Sequence, residues 1–349
     1  MKAARKVGKD KWERLFDLAR EFNMAKPWEL FSDIDLFALR RPSNGDIVFP
    51  LILGNASSFY GMSIYLGKFG LLHYSLAQSE MEPDNPAFTA MYDSLLLSFM
   101  ERMYLEKDDL ELPGVSEVTL NRAKVWPQFR RMGCMRLNSR ISRSDADLLI
   151  EVIPLVLDVV SLAREQPALM SIFDDTPLPL FEKTGAASWV TTDMDDIPNN
   201  LDILQPGDLV SDIDRKRLAG LERETTTWQL GWKIAPALIG NDPKDMASVA
   251  IIQILDKGEC RVRQYATISP SRHEHLWLDF WKEFMSMLGR ERSYPAELEV
   301  SDPWIRELIE PLKDHLDIRI VERDYLPEME KAFNFVFDAM GWQQEGQEV

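Results

Sequence analysis

Apolar residues recur at helical spacing from Lys9 to Met24, where Trp12, Leu15, Phe16, Ala19 and Phe22 stand among charged side chains, predicting an amphipathic opening helix. Three short apolar runs follow, Ile34 to Arg40, Ile47 to Leu53 and Gly61 to Leu66. The turn clusters Pro42-Ser43-Asn44-Gly45 and Gly54-Asn55-Ala56-Ser57-Ser58 separate them, so an antiparallel meander is expected. Leu71 to Ala77, Ala87 to Met103 and Ser144 to Ala163 read as helices, the last with Ser144 and Asp147 as a capping box. From Phe173 to Asp214 the periodicity dissolves.

Beyond that gap the pattern becomes hairpin, helix, strand, helix, strand, helix. Thr226 to Ile239 reads as a strand through Trp228, Leu230 and Trp232. Ser248 to Leu255 is a second strand, and Asp256-Lys257-Gly258 turns it into a third, Glu259 to Ile268. Leu276, Trp277, Phe280, Phe284, Met287 and Leu288 define a helix that Gly289 is expected to stop. A strand at Glu297 to Val300, a helix through Ile305 and Leu308, a strand at Ile318 to Val321 and a helix through Met329 and Phe333 complete the order. Strands alternating with helices imply parallel pairing there. The fold class is an α+β N-terminal domain, a meander plus helices, followed by an α/β C-terminal domain with a mixed sheet. The boundaries expected are 1–165 for the first domain, 166–221 for an acidic connector, 222–342 for the second domain and 343–349 for a flexible tail.

Composition adds bounds. A chain of 349 residues with 45% apolar residues can bury about three quarters of its unfolded surface without staples. The two cysteines, Cys134 and Cys260, stand in no CxxC spacing, which fits a reducing compartment and argues against a structural zinc site. The most apolar long stretch, Leu148 to Ala163, is interrupted by Glu151 and Asp158 and falls short of a membrane span. A soluble cytoplasmic protein is expected. The formal net charge of −17 repels phosphate backbones in bulk.

That charge is uneven. Between Phe173 and Asp214 ten acidic residues (Asp174, Asp175, Glu182, Asp193, Asp195, Asp196, Asp202, Asp208, Asp212 and Asp214) face Lys183 alone. From Arg122 to Arg143 the reverse holds: Arg122, Lys124, Arg130, Arg131, Arg136, Arg140 and Arg143 have no acidic residue among them, and Trp126 and Phe129 are interleaved. Guanidinium forks grip phosphates and aromatic rings stack on bases, so this island is the candidate anion- or partner-binding surface. The competing expectation is internal pairing, with the acidic segment lying across it.

Several short motifs carry a family likeness. In the first half these are Phe59-Tyr60-Gly61-Met62-Ser63-Ile64-Tyr65-Leu66-Gly67, Phe99-Met100-Glu101-Arg102 and Trp126-Pro127-Gln128-Phe129-Arg130. In the second half they are Thr227-Trp228-Gln229-Leu230-Gly231, the hairpin around Asp256, Tyr294-Pro295-Ala296-Glu297-Leu298 and Tyr325-Leu326-Pro327. By these the chain resembles uncharacterised bacterial proteins built from two domains of unknown function. The resemblance implies a shared fold and a cytoplasmic bacterial protein, and it transfers no catalytic residue.

The order of the last elements is also similar to the RNase H-like fold, whose nucleases use carboxylates near strand ends to hold two metals. Asp256, Asp302 and Glu328 are the residues that could play this part, with magnesium or manganese as cofactor. Each has a plainer role. Asp256 stands in a turn, Asp302 precedes Pro303 as a natural N-cap, and Glu328 opens a helix after Pro327. The strand order also lacks a third hairpin strand unless the Trp228 strand supplies it. His273 and His275 are two residues apart and would point to different sides of a helix. No Walker A, GxGxxG or GxSxG pattern occurs.

The favoured reading is a non-catalytic interaction or regulatory module that needs no cofactor. Its contact surfaces are expected at the basic island and at a cleft between the domains, with Trp228 and Trp232 at the interdomain contact. A protein partner is expected, nucleic acid only at the island, and no membrane. The alternative is a metal-dependent nuclease or other phosphoryl-transfer enzyme.

Overall fold

The computed structural model describes residues 7–56, 59–78, 92–133, 135–175, 178–184, 189–193, 210–239, 247–268 and 273–341. Two compact units emerge, the first from Met1–Gln78, Asp93–Met132 and Leu137–Ile197, the second from Ser79–Tyr92, Gly133–Arg136 and Pro198–Val349. Each has its own sheet. Among the described residues no helix is long and apolar enough to cross a membrane.

The first unit opens with α1 (Lys9–Ala25), followed by β1 (Ala38–Arg40), β2 (Ile47–Leu53), β3 (Gly61–Leu66) and α2 (Gly67–Gln78). Then come β4 (Ser94–Met100), the single turn α3 (Lys107–Leu110), β5 (Val118–Leu120), β6 (Ala123–Gly133), β7 (Arg136–Ser139) and α4 (Arg143–Glu165). The single turn α5 (Ile172–Asp175), β8 (Pro179–Lys183) and β9 (Trp189–Asp193) complete it. The sheet order is β5-β6-β4-β3-β2-β1-β8-β9, with β7 paired to β6. The predicted meander is present, and β2 and β3 have the predicted limits. Helices α1 and α4 cover one face, where Leu15, Phe22, Leu149, Val152 and Val156 join Ile64, Leu97 and Phe129 in one core. A smaller cluster around Phe49, Tyr65 and Leu71 lies on the other face.

Three expectations are corrected here. Ala87 to Met103 is no helix: 87–91 lie outside the described residues, and Ser94–Met100 is a strand. Leu95, Leu97 and Phe99 alternate into the main core, while Ser94 and Ser98 are buried on the opposite side, and Leu96 hides this period of two. The capping box of α4 is Ser142 with Asp145, two residues earlier than expected, and Asp147 pairs with Lys11 instead. The acidic segment, expected as a connector without periodicity, contributes β8 and β9, with β8 joined in parallel to β1 and tied by Glu182 to Arg40 at 3.1 Å. Residues 194–209 of the expected connector, and the expected tail at 343–349, lie outside the described residues.

The second unit contains α6 (Asp212–Leu218), β10 (Glu222–Ile239), β11 (Ala247–Asp256), β12 (Arg261–Ile268) and α7 (His273–Glu291). It continues through β13 (Ser293–Val300), α8 (Pro303–Ile309), β14 (Arg319–Glu322) and α9 (Pro327–Ala339). The sheet order is β12-β11-β10-β13-β14; β11 is antiparallel to β10 and β12, and β13 is parallel to β10 and β14. The Trp228 strand thus supplies the third antiparallel strand that the hairpin alone lacked.

Alternation along β10 sorts the two faces. Trp228 and Trp232 point to the α7 side, where Trp232 meets Trp277 at 5.6 Å and Phe280 at 5.9 Å between ring centroids. Trp228 is fully buried, so these two tryptophans, expected at an interdomain contact, are core residues of the second unit. Gln229, Gly231 and Lys233 point to the α9 side. A Cβ on Gly231 would lie 2.7 Å from Met329 Cγ and 3.2 Å from Phe333 Cε2, so a glycine there lets α9 sit directly on the strand. Gly289 does not stop α7, which runs on to Glu291, and Arg292 takes the left-handed conformation at φ 58° instead.

Candidate functional site

Asp256, Asp302 and Glu328 do not converge. Asp256 closes β11 opposite Trp228, its Oδ1 accepting the Glu259 amide at 3.0 Å and its Oδ2 lying 3.4 Å from Arg263 Nη1. Asp302 caps α8: Oδ1 accepts the amides of Trp304 at 2.8 Å and Ile305 at 3.4 Å, and Oδ2 accepts the Trp232 indole N–H at 2.7 Å. Trp228 and Trp232 lie four residues apart on one strand, so the levels that hold the two aspartates are separated by about 13 Å. Glu328 is on the other face, in the first turn of α9, where its Oε2 accepts Gln229 Nε2 at 3.1 Å. Among the described residues no group of three or more His, Cys, Asp or Glu side chains is arranged to hold a metal.

Burial pushes the Asp302 carboxyl above its usual range, against the bonds from Trp232 and the two amides. A raised folded-state value means that the folded protein holds this proton more tightly. The associated stability is therefore present at low pH and is lost as pH rises through the raised value. Asp302→Asn keeps one acceptor for the two α8 amides but turns an NH2 donor onto the Trp232 indole N–H, so it is expected to melt below wild type at pH 7, and Asp302→Ala, which also loses the cap, lower still by about 1 kcal/mol. Thermal melts of the two variants check this; an equal loss in both would contradict it.

The polar groups that do converge are others. Gln229 of β10 stands in register with Glu299 of β13. Glu299 is 1% exposed and accepts Lys257 Nζ at 2.9 Å on both oxygens, Arg323 Nε at 2.9 Å and Gln229 Nε2 at 3.1 Å. The same Gln229 Nε2 donates to Glu328, so one amide joins two carboxylates. Burial opposes the Glu299 charge, yet Lys257, Gln229 and Arg323 hold its carboxyl below the usual range. The side chains of Lys257 and Arg323 remain 41% and 45% exposed, so two cations stand at the surface on a buried anion.

On the α7 side lies a second network. Arg263 of β12 stacks over Trp228, 4.2 Å from the ring centroid. Its Nη1 and Nη2 bond Glu224 at 2.7 and 2.9 Å, and its Nε bonds Glu291 at 3.0 Å. Burial disfavours the Glu224 charge, but Arg263, Ser293 and Thr226 hold the carboxyl below its usual range. One guanidinium thus ties β10, β11, β12 and α7 together.

The basic island runs through the turn before β6, along β6 and β7, and into the start of α4. Arg130 is buried and bonds Asp109 of α3 with both terminal nitrogens, at 2.9 and 2.5 Å. Arg131 pairs with Asp93, Arg140 with Asp108 at 3.0 Å, and Lys124 with Glu117 at 3.1 Å. Among the described residues, the acids that pair with Lys124, Arg130, Arg131 and Arg140 come from 93–117. Arg122 is exposed in the β5–β6 turn at φ 68°, Trp126 is half-buried, and Arg136 opens β7.

Sequence reasoning missed Gln229, Lys257, Glu299 and Arg323, which only strand pairing brings together. Gln229, a polar residue within the strongly apolar run Trp228 to Trp232, was the available signal; Glu299 carried none of its own.

Family comparison agrees with this two-unit architecture. Residues 12–179 match the model of a family described as Domain of unknown function (DUF7309), and residues 214–337 match that of Domain of unknown function (DUF6930). The chain thus carries two domains, each matching a family of unknown function. Searches of curated proteins and of solved structures gave no match.

Proposed function

We propose that the protein is a non-catalytic interaction module whose contact surface is the Lys257–Arg323 rim of the second unit. The observation that carries this reading is the buried Glu299, which holds two half-exposed cations in place, Arg323 also lying 3.7 Å from Glu297. Fixed donors of this kind suit an acidic side chain or a C-terminal carboxylate of a protein partner. Nucleic acid is disfavoured by the net charge of −17.

A second reading, a metal-dependent phosphoryl-transfer enzyme, is favoured by one observation: three antiparallel strands followed by two parallel ones, with Glu299 and Glu328 joined through Gln229. Lys257 and Arg323 oppose it, because they supply positive charge where cations would have to bind. Melting curves with magnesium or manganese, together with nuclease assays, separate the readings. The interaction reading predicts no divalent-ion stabilisation, no cleavage, and a stoichiometric partner complex that Lys257→Glu with Arg323→Glu abolishes. Cleavage that disappears in Glu299→Gln and Glu328→Gln would overturn it.

A further inference from the structure

Residues directly opposite in an antiparallel pair share a face of the sheet, and Gln253 of β11 lies opposite Gly231. That is the face on which Met329 and Phe333 of α9 press against Gly231. Gln253 is therefore under the helix. It is 0% exposed, and neither its Oε1 nor its Nε2 has a hydrogen-bond partner. Its neighbours on the same face, Ile251 and Leu255, join Met329, Phe333 and Phe337 in one apolar cluster. Gln229, 1% exposed on the same face, leaves its own Oε1 without a partner.

A permanently closed interface of this kind is best filled by apolar side chains, because an amide buried without partners forfeits its hydration and gains nothing in return. The two amides loosen the contact that covers them. What holds α9 against them is Met329, Phe333 and Phe337 with Leu326, Ala332 and Val336 beside them, Lys233, which pairs with Glu330 at 2.5 Å and lies 5.9 Å from the Phe333 ring centroid, and the Gln229–Glu328 bond at 3.1 Å. The link to β14 is short: Arg323 is tied to Glu299, Asp324 and Tyr325 are exposed, Leu326 is buried in the same cluster, and the outward Phe335 is 74% exposed.

We propose that α9 is a releasable cover, and that its release uncovers Gln229, Gln253 and Glu299 as a polar strip continuous with the Lys257–Arg323 rim. Opening removes Glu328 from Gln229, hydrates both amides and leaves the five-stranded sheet paired. The use of the strip by a partner rests on the interaction reading above; the release itself does not.

Native-state hydrogen exchange on the full chain tests it. The amides of α9 are expected to exchange faster than those of β11 and with little dependence on low urea, the mark of a local opening, whereas β11 follows global unfolding. Gln253→Met, close in shape and without the amide, is expected to slow α9 exchange roughly 5- to 150-fold. Equal protection and equal urea dependence in α9 and β11 would overturn the proposal. So would α9 exchange that is unchanged by Gln253→Met. Failure of the release leaves the Lys257–Arg323 surface standing, and failure of partner capture leaves the release standing.

Discussion

Replacing Arg263 with methionine is expected to destabilise the second unit by about 3–5 kcal/mol, because it strands carboxylates that were folded around one cation. Glu224, Asp256 and Glu291 all lose their shared partner, and Trp228 loses the guanidinium stacked 4.2 Å from its ring. The pH dependence should change as well. In the wild type the Glu224 carboxyl lies below its usual range, so its contribution is present above the ordinary glutamate range and is lost as pH falls through the depressed value. In Arg263→Met the clustered carboxylates face one another without a shared cation, and the main support that lowers the Glu224 carboxyl is lost, so acid weakens the variant less than the parent. Urea denaturation at pH 7 and at about pH 3.5, below the ordinary glutamate range, checks both statements. A variant within 1 kcal/mol of wild type, as an order-of-magnitude bound, would show that the network contributes no more than a surface pair.

Asp109→Ala in the first unit is expected to cost about 3–5 kcal/mol as well, for the mirror-image reason: it leaves the guanidinium of Arg130 buried without a counter-charge. The Arg130 and Asp109 side chains are only 8% and 6% exposed. Burial opposes the Asp109 charge, and Arg130 and Gln128 overcome it and hold the carboxyl below its usual range, so this stabilisation too is lost on acidification. The double replacement Arg130→Met with Asp109→Leu removes both charges and is expected to recover most of the loss, since a buried pair replaced by apolar groups is often neutral. Calorimetry of the single and double variants gives the comparison. Were Arg130 an outward ligand-binding group, Asp109→Ala would leave the melting temperature nearly unchanged.

Much of the architecture was legible from residue order. The meander limits at β2 and β3, the hairpin at Asp256-Lys257-Gly258 and the last two helices follow from turn chemistry and periodicity, which act over a few residues. The β4 error has a different origin. Ser94 to Met100 carries Leu at three successive positions, 95 to 97, and such a run has no readable period until the sheet assigns one face to Leu95 and Leu97. The β8 and β9 strands were hidden by the charge around them, and β1, which β8 pairs with in the sheet, lies more than a hundred residues away. Asp256 and Asp302 were visible as carboxylates at strand ends, and their turn and cap roles were visible too. Glu299, Lys257 and Arg323 were not, because nothing local distinguishes a buried glutamate from a solvated one in Ala296-Glu297-Leu298-Glu299-Val300. Only its register with Gln229 does so.

The length of β10 has a consequence for the order of assembly. Its residues 228–239 pair with β11, a neighbour in the chain, while residues 222–229 pair with β13. The first pairing closes a short loop and the second a loop of roughly seventy residues, so the three-stranded hairpin half is expected to form before β13 arrives. Until then the first turns of β10 present an unpaired edge. Glu222, Arg223 and Glu224 occupy that edge, and their charges keep the waiting strand from recruiting one belonging to another molecule.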